Sequence, residues 1–117
     1  MTDNLNPKLE QIAVNTITNG IQIITISNII YLKSDPKKTI IRLKNSDEVF
    51  ASKSIGAFEI LLKNNEFLRV HKSYIVNLEH LICIDKNLTG HYCLLYSNKI
   101  IPISIRKYRI VKERLEY

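Results

Sequence analysis

A mainly β fold with two helices is what this 117-residue sequence predicts, and three observations carry the prediction. Ile, Val, Thr and Tyr are abundant and come in short runs, the composition of pleated, half-buried strands. Turn signals such as Asn19-Gly20 and Asp35-Pro36 punctuate those runs. Only two stretches, Ile55 to Leu62 and Ser104 to Leu115, change to the three-and-four spacing of an amphipathic helix.

Each element follows in order. Ile12, Val14 and Thr16 alternate with Ala13, Asn15 and Ile17 as a first strand, and Asn19-Gly20 supplies a hairpin turn. The run Ile21 to Ile26 continues past Ser27-Asn28 into Ile29-Ile30-Tyr31-Leu32. Asp35-Pro36-Lys37-Lys38 is a turn, because proline presets φ and aspartate bonds to its own turn. Thr39 to Leu43 and Glu48 to Ala51 are strands on either side of the turn Lys44 to Asp47. Ile55, Phe58, Leu61 and Leu62 fall on one helical face, with Ser52 or Ser54 as the cap and Lys63-Asn64-Asn65 as the stop. Strands resume at Phe67 to Val70, Tyr74 to Val76, Leu81 to Ile84, Tyr92 to Tyr96 and Ile100 to Ile103. In the closing helix, Ile105, Tyr108, Val111 and Leu115 share a face. The total is eight or nine strands and two helices.

Length and composition bound the function. The size suits one domain, read here as residues 10–117 behind a flexible leader, 1–9. Apolar residues at 45% exclude a disordered chain, and three Gly with three Pro exclude collagen-like or linker sequence. A net charge of +6 favours polyanionic partners, nucleic acid first and an acidic membrane surface second. No basic segment followed by an apolar one marks the N-terminus for export, and no apolar run approaches the ~20 residues of a membrane span. Cys83 and Cys93 each sit in an apolar strand run, as buried thiols do, and two cysteines make no secreted disulfide framework. A reduced, cytoplasmic setting is expected, with no membrane partner.

Enzyme chemistry finds no support. There is no Gly-rich phosphate loop, no Gly-x-Ser-x-Gly elbow and no carboxylate pair in a pocket context. His80, Cys83, His91 and Cys93 could in principle ligate zinc, but Cys83 lies among isoleucines and tight glycine knuckles are missing, so no metal and no cofactor are expected. The basic residues are better organised: Lys37 and Lys38 at a turn, Arg69, His71 and Lys72 where a strand ends, Arg106 and Lys107 where the last helix begins. Loops on a rigid sheet suit the placing of cations against a curved polyanion, and a helix start adds its positive dipole end.

Residues 67–77 read Phe-Leu-Arg-Val-His-Lys-Ser-Tyr-Ile-Val-Asn. This segment resembles the signature of the LytTR family of bacterial DNA-binding domains: aromatic-x-Arg-aliphatic-His-basic-Ser-aromatic-aliphatic-Val-Asn. The resemblance runs from about Ile12 to Leu115, with Ile29 to Leu32 similar to the family's first core strand, Ser54 to Leu62 to its mid-domain helix, and Ile101 to Arg106 to its closing strand and helix start. It implies an elongated antiparallel β sandwich of LytTR type, with one mid-domain helix and a C-terminal helix, whose loops enter successive major grooves. It implies sequence-specific binding of double-stranded DNA at direct or imperfect repeats, with a homodimer on DNA compatible, in transcriptional control of two-component, response-regulator type. The base-contacting residues it implies are Lys38 (with Lys37 as the alternative at that turn), Lys72 and Arg106. Arg offers guanine O6 and N7 two parallel donors, and Lys donates to the same pair. Lys37, Arg69, His71, Ser73 and Lys107 are donors expected at the DNA backbone, with an internal ion pair the alternative for Arg69 and loop bonding for His71. Asn77 reads as a turn cap. The alternative class is a small β interaction module that meets a protein partner or RNA.

Overall fold

The computed structural model describes residues 7–116. In chain order the strands are β1 (Gln11–Asn15), β2 (Ile21–Thr25), β3 (Ile29–Asp35), β4 (Lys38–Leu43) and β5 (Glu48–Ala51), followed by helix α1 (Ile55–Leu61). Then come β6 (Phe67–His71), β7 (Tyr74–Asn77), β8 (Leu81–Asn87), β9 (Gly90–Leu95), β10 (Lys99–Pro102) and helix α2 (Ile105–Leu115). Of the predicted leader, residues 1–6 lie outside the described residues. Leu9 packs on the core, and its backbone is held at both ends by the Asn65 side-chain amide.

All pairings are antiparallel and form three sheets: β1-β2, β5-β4-β3-β7-β6 and β10-β9-β8. The five-stranded sheet is covered on both faces. On one side Leu32, Ile41 and Ile75 meet Ile12, Val14 and Ile24 of the first hairpin and Phe58 and Leu62 of the α1 segment. On the other, Ile30, Val70 and Val76 meet Cys93, Leu95, Ile101 and Val111 from the three-stranded sheet and α2. Two cores on opposite faces of one sheet make a sandwich measuring 41 × 41 × 24 Å.

Local chemistry explains the boundaries. Ser54 caps α1 through its hydroxyl, which accepts from the Ala57 amide at 3.2 Å, and Ser104 caps α2 through the Lys107 amide at 3.2 Å. Asn19, Ser46, Ser97 and Asn98 take the left-handed conformation at turns, where short polar side chains are tolerated. Asn77 is buried, and its Oδ1 accepts from the Glu79 amide at 3.0 Å while Nδ2 donates to the Ile29 carbonyl at 2.9 Å. It is the turn cap its sequence position suggested, and it also ties β7 to β3.

Four expectations need correction. Ten strands form among the described residues rather than eight or nine, because a turn at Ile26–Asn28 divides the run from Ile21 to Leu32. Cys83 is exposed, not buried: a bulge between Leu81 and Cys83 shifts the register, so Ile82 and Cys83 both face outward while Ile84 opposes Cys93. Ile105 is 96% exposed, because α2 packs through Tyr108, Val111 and Leu115 and no described residue covers Ile105. Leu61 stands at the surface, and Leu62 alone carries that end of the α1 segment into the core.

Candidate nucleic-acid interface

The sheet topology gathers three basic segments at one end. Asp35 pairs with Lys38 across a two-residue turn, Pro36-Lys37, and His71 pairs with Tyr74 across another, Lys72-Ser73. Because β3 and β7 are antiparallel neighbours, with Lys33 opposite Tyr74, the two turns lie at the same end of the five-stranded sheet. The Ser34 amide donates to the Ser73 carbonyl at 2.8 Å and joins them directly. The start of α2 is brought alongside by the Ser104 amide, which donates to the Val70 carbonyl at 3.0 Å. A bulge between Arg69 and His71 lets Val70 enter the core while its neighbours stay near the surface.

The sequence-predicted residues fall into two adjoining depressions. Arg69, His71, Lys72, Arg106 and Lys107 line an open groove of about 430 Å³, together with Ser104 and Glu59. Lys37 and Lys38 line a second, of about 280 Å³, with Ser34, Asp35, Pro36, Ser52, Ser54 and Ile55. Ser73 lines neither depression; its carbonyl accepts from the Ser34 amide.

Their side chains are differently engaged. Lys38 is paired with Asp35 and lies 5.8 Å from the Phe50 ring centre, so part of its charge is answered within the chain. Lys37, Lys72 and Arg106 are exposed, and among the described residues none has an ion-pair or side-chain hydrogen-bond partner. His71 Nδ1 accepts from the Ser73 amide at 3.1 Å and its ring meets Tyr74 edge-on, leaving Nε2 as the outward donor in the neutral ring. Arg69 is the most committed. Its Nη1 donates to Glu59 Oε1 at 2.9 Å, its Nη2 donates to the Lys72 carbonyl, and its Nε is buried without a partner. At the helix start, the backbone amides add the positive end of the dipole to Arg106 and Lys107.

Two features went unseen in the sequence. Glu59 carries no motif and joins the site only through a contact ten residues away. Asp35 carries the signature of a turn former in the sequence, and its spacing from Lys38 also allows the ion pair it makes. The four residues weighed for zinc do not come together: among the described residues no group of three or more His, Cys, Asp or Glu is placed to hold a metal. His80 bonds the Ser27 carbonyl, and His91 stacks on Tyr108 with ring centres 3.6 Å apart. Burial, and then the neighbouring Cys83, push the Cys93 thiol up to about 12. No described helix is long and apolar enough to cross a membrane.

A layered β body with cationic turns at one end defines a domain built to meet a polyanion. The family described as the LytTr DNA-binding domain matches residues 19–116, and the chain belongs to that family. Membership carries DNA binding. Among solved structures, the chain is similar to one described as the LytTr DNA-binding domain of a methyl-accepting/DNA response regulator from Bacillus cereus. The TM-score is 0.78 at 24% identity, covering 93% of this chain and 99% of that one, which shows a shared fold. No curated protein matches.

Proposed function

We propose that this chain is a sequence-specific binder of double-stranded DNA, acting in bacterial transcriptional control in the cytoplasm, whose turns enter successive major grooves. The observation that carries the reading is the meeting of three basic segments, far apart in sequence, at one end of a single sheet. Lys72 and Arg106 are exposed and, among the described residues, have no side-chain partner, which leaves their donors available to base edges. Lys38 joins them by exchanging its Asp35 partner for a base edge. Lys37, Ser73, His71 and Lys107 face phosphate, and Arg69 adds its charge to that set from behind the turn. Direct or imperfect repeats, occupied by two copies of the chain, belong to the same proposal and rest on the family's pattern.

Selection of bound sequences from a pool of random duplexes tests it. A recurrent motif is expected, and the selected duplex should outcompete its own single strands and RNA of the same sequence. Equal competition by single strands or RNA would contradict the reading and favour a different interaction module.

A further inference from the structure

Glu59 is out of place on charge alone. It belongs to α1 rather than to any basic turn, yet its carboxylate lines the same groove as Lys72 and Arg106. A carboxylate there repels phosphate, so its removal by itself strengthens binding to every duplex. Its contacts point to a different role. Glu59 Oε1 accepts from Arg69 Nη1 at 2.9 Å, and Arg69 Nη2 donates to the carbonyl of Lys72. The guanidinium is planar, so anchoring one terminal nitrogen orients the other. Arg69 is only 22% exposed along its side chain, and its Nε is sealed from solvent, which restricts the swing of the group.

We propose that Glu59 is a positioning residue for base readout: it holds Arg69, which holds the Lys72 carbonyl and so fixes how the two-residue turn presents Lys72. The proposal deepens the reading given under Proposed function and rests on it. It predicts a sign that bulk electrostatics cannot give. Losing the carboxylate improves binding to arbitrary DNA and worsens the preference for the right one.

The test uses the selected duplex and a scrambled duplex of equal length, with Glu59→Ala, Lys72→Ala and the double variant. Glu59 is about half exposed, so Glu59→Ala removes the acceptor with little effect on the fold, and a cooperative melt checks that. Glu59→Ala should leave scrambled-duplex affinity equal or higher. The selected-to-scrambled ratio should fall by about five- to tenfold, within the value of one base contact. In the Lys72→Ala background the same change should move that ratio by less than about twofold, because the residue it positions is gone. Arg69→Lys, which keeps the charge but cannot span both partners, should reproduce the loss. An unchanged ratio, or a full effect that persists without Lys72, overturns the positioning role while leaving DNA binding intact. A wild-type chain with no preferred duplex overturns the base-readout reading, and the positioning role with it.

Discussion

Replacing Arg106 and Lys107 one at a time separates base reading from charge at the start of α2. The two are adjacent and both basic, so net electrostatics alone makes them equivalent. The helix does not, because successive side chains project about 100° apart around it. Arg106 is exposed with no side-chain partner among the described residues, so Arg106→Ala should change stability by about 0.5 kcal/mol or less. Its effect therefore falls on the complex. A lost bidentate guanine contact costs about 1–3 kcal/mol, which at 1.4 kcal/mol per tenfold lowers the preference for the selected duplex by roughly 5- to 150-fold. Lys107 is half-buried, and what it gives the cap is its backbone amide to Ser104, which an alanine retains. Lys107→Ala should weaken every duplex alike and reduce the log–log salt slope by about one. Arg106→Lys is the sharper variant, since it keeps the charge and loses the planar fork. The assay is affinity for selected and scrambled duplexes at two salt concentrations. If Arg106→Ala lowers both affinities equally, Arg106 is a phosphate clamp and its base-reading assignment is wrong.

Four further outcomes are expected. Asn77→Ala removes one buried and one part-buried hydrogen bond and takes a donor from the Ile29 carbonyl, so thermal or urea unfolding should show a loss of about 2–3 kcal/mol; a loss below about 0.5 kcal/mol would refute its role as the β7–β3 tie. Ser104→Ala should cost about 1 kcal/mol in the same measurement, and it should weaken duplex binding by loosening the helix start that carries Arg106. A thiol reagent near pH 8 should label Cys83 in the folded protein and leave Cys93 untouched until unfolding, because Cys93 is buried and ionises only at about 12. The same shift destabilises the fold as pH rises from about 9 towards 12, where the unfolded chain's thiol ionises and the folded one does not.

Much of the fold was legible because its signals are local. Asn19-Gly20 marked a hairpin and Asp35-Pro36 a turn, and Ile55, Phe58, Leu61 and Leu62 marked α1 with Ser52 or Ser54 before it, of which Ser54 is the cap. What the sequence could not reveal depends on register and long-range contact. The bulge at Ile82 moves Cys83 to the outside, and no described residue covers Ile105 at the start of α2; neither is visible in hydrophobic spacing. The same divide runs through the site. The motif at residues 67–77 located Arg69, His71, Lys72 and Ser73 together, being one strand and its turn. Their neighbourhood with Arg106 depends on the packing of α2 in the core that Val70 shares and on the backbone bond from Ser104 to Val70, and the Glu59 tether on a pairing between helix and strand.

The cationic end is proposed to grip duplex DNA through its phosphates while reading bases between them. The measurement that tests it most directly is the affinity of the wild-type chain for the selected duplex across a salt series. Contact with about four to six phosphates predicts a log–log slope of roughly −4 to −5, as bound cations release condensed counterions. An affinity that stays flat from low to physiological salt would contradict the account.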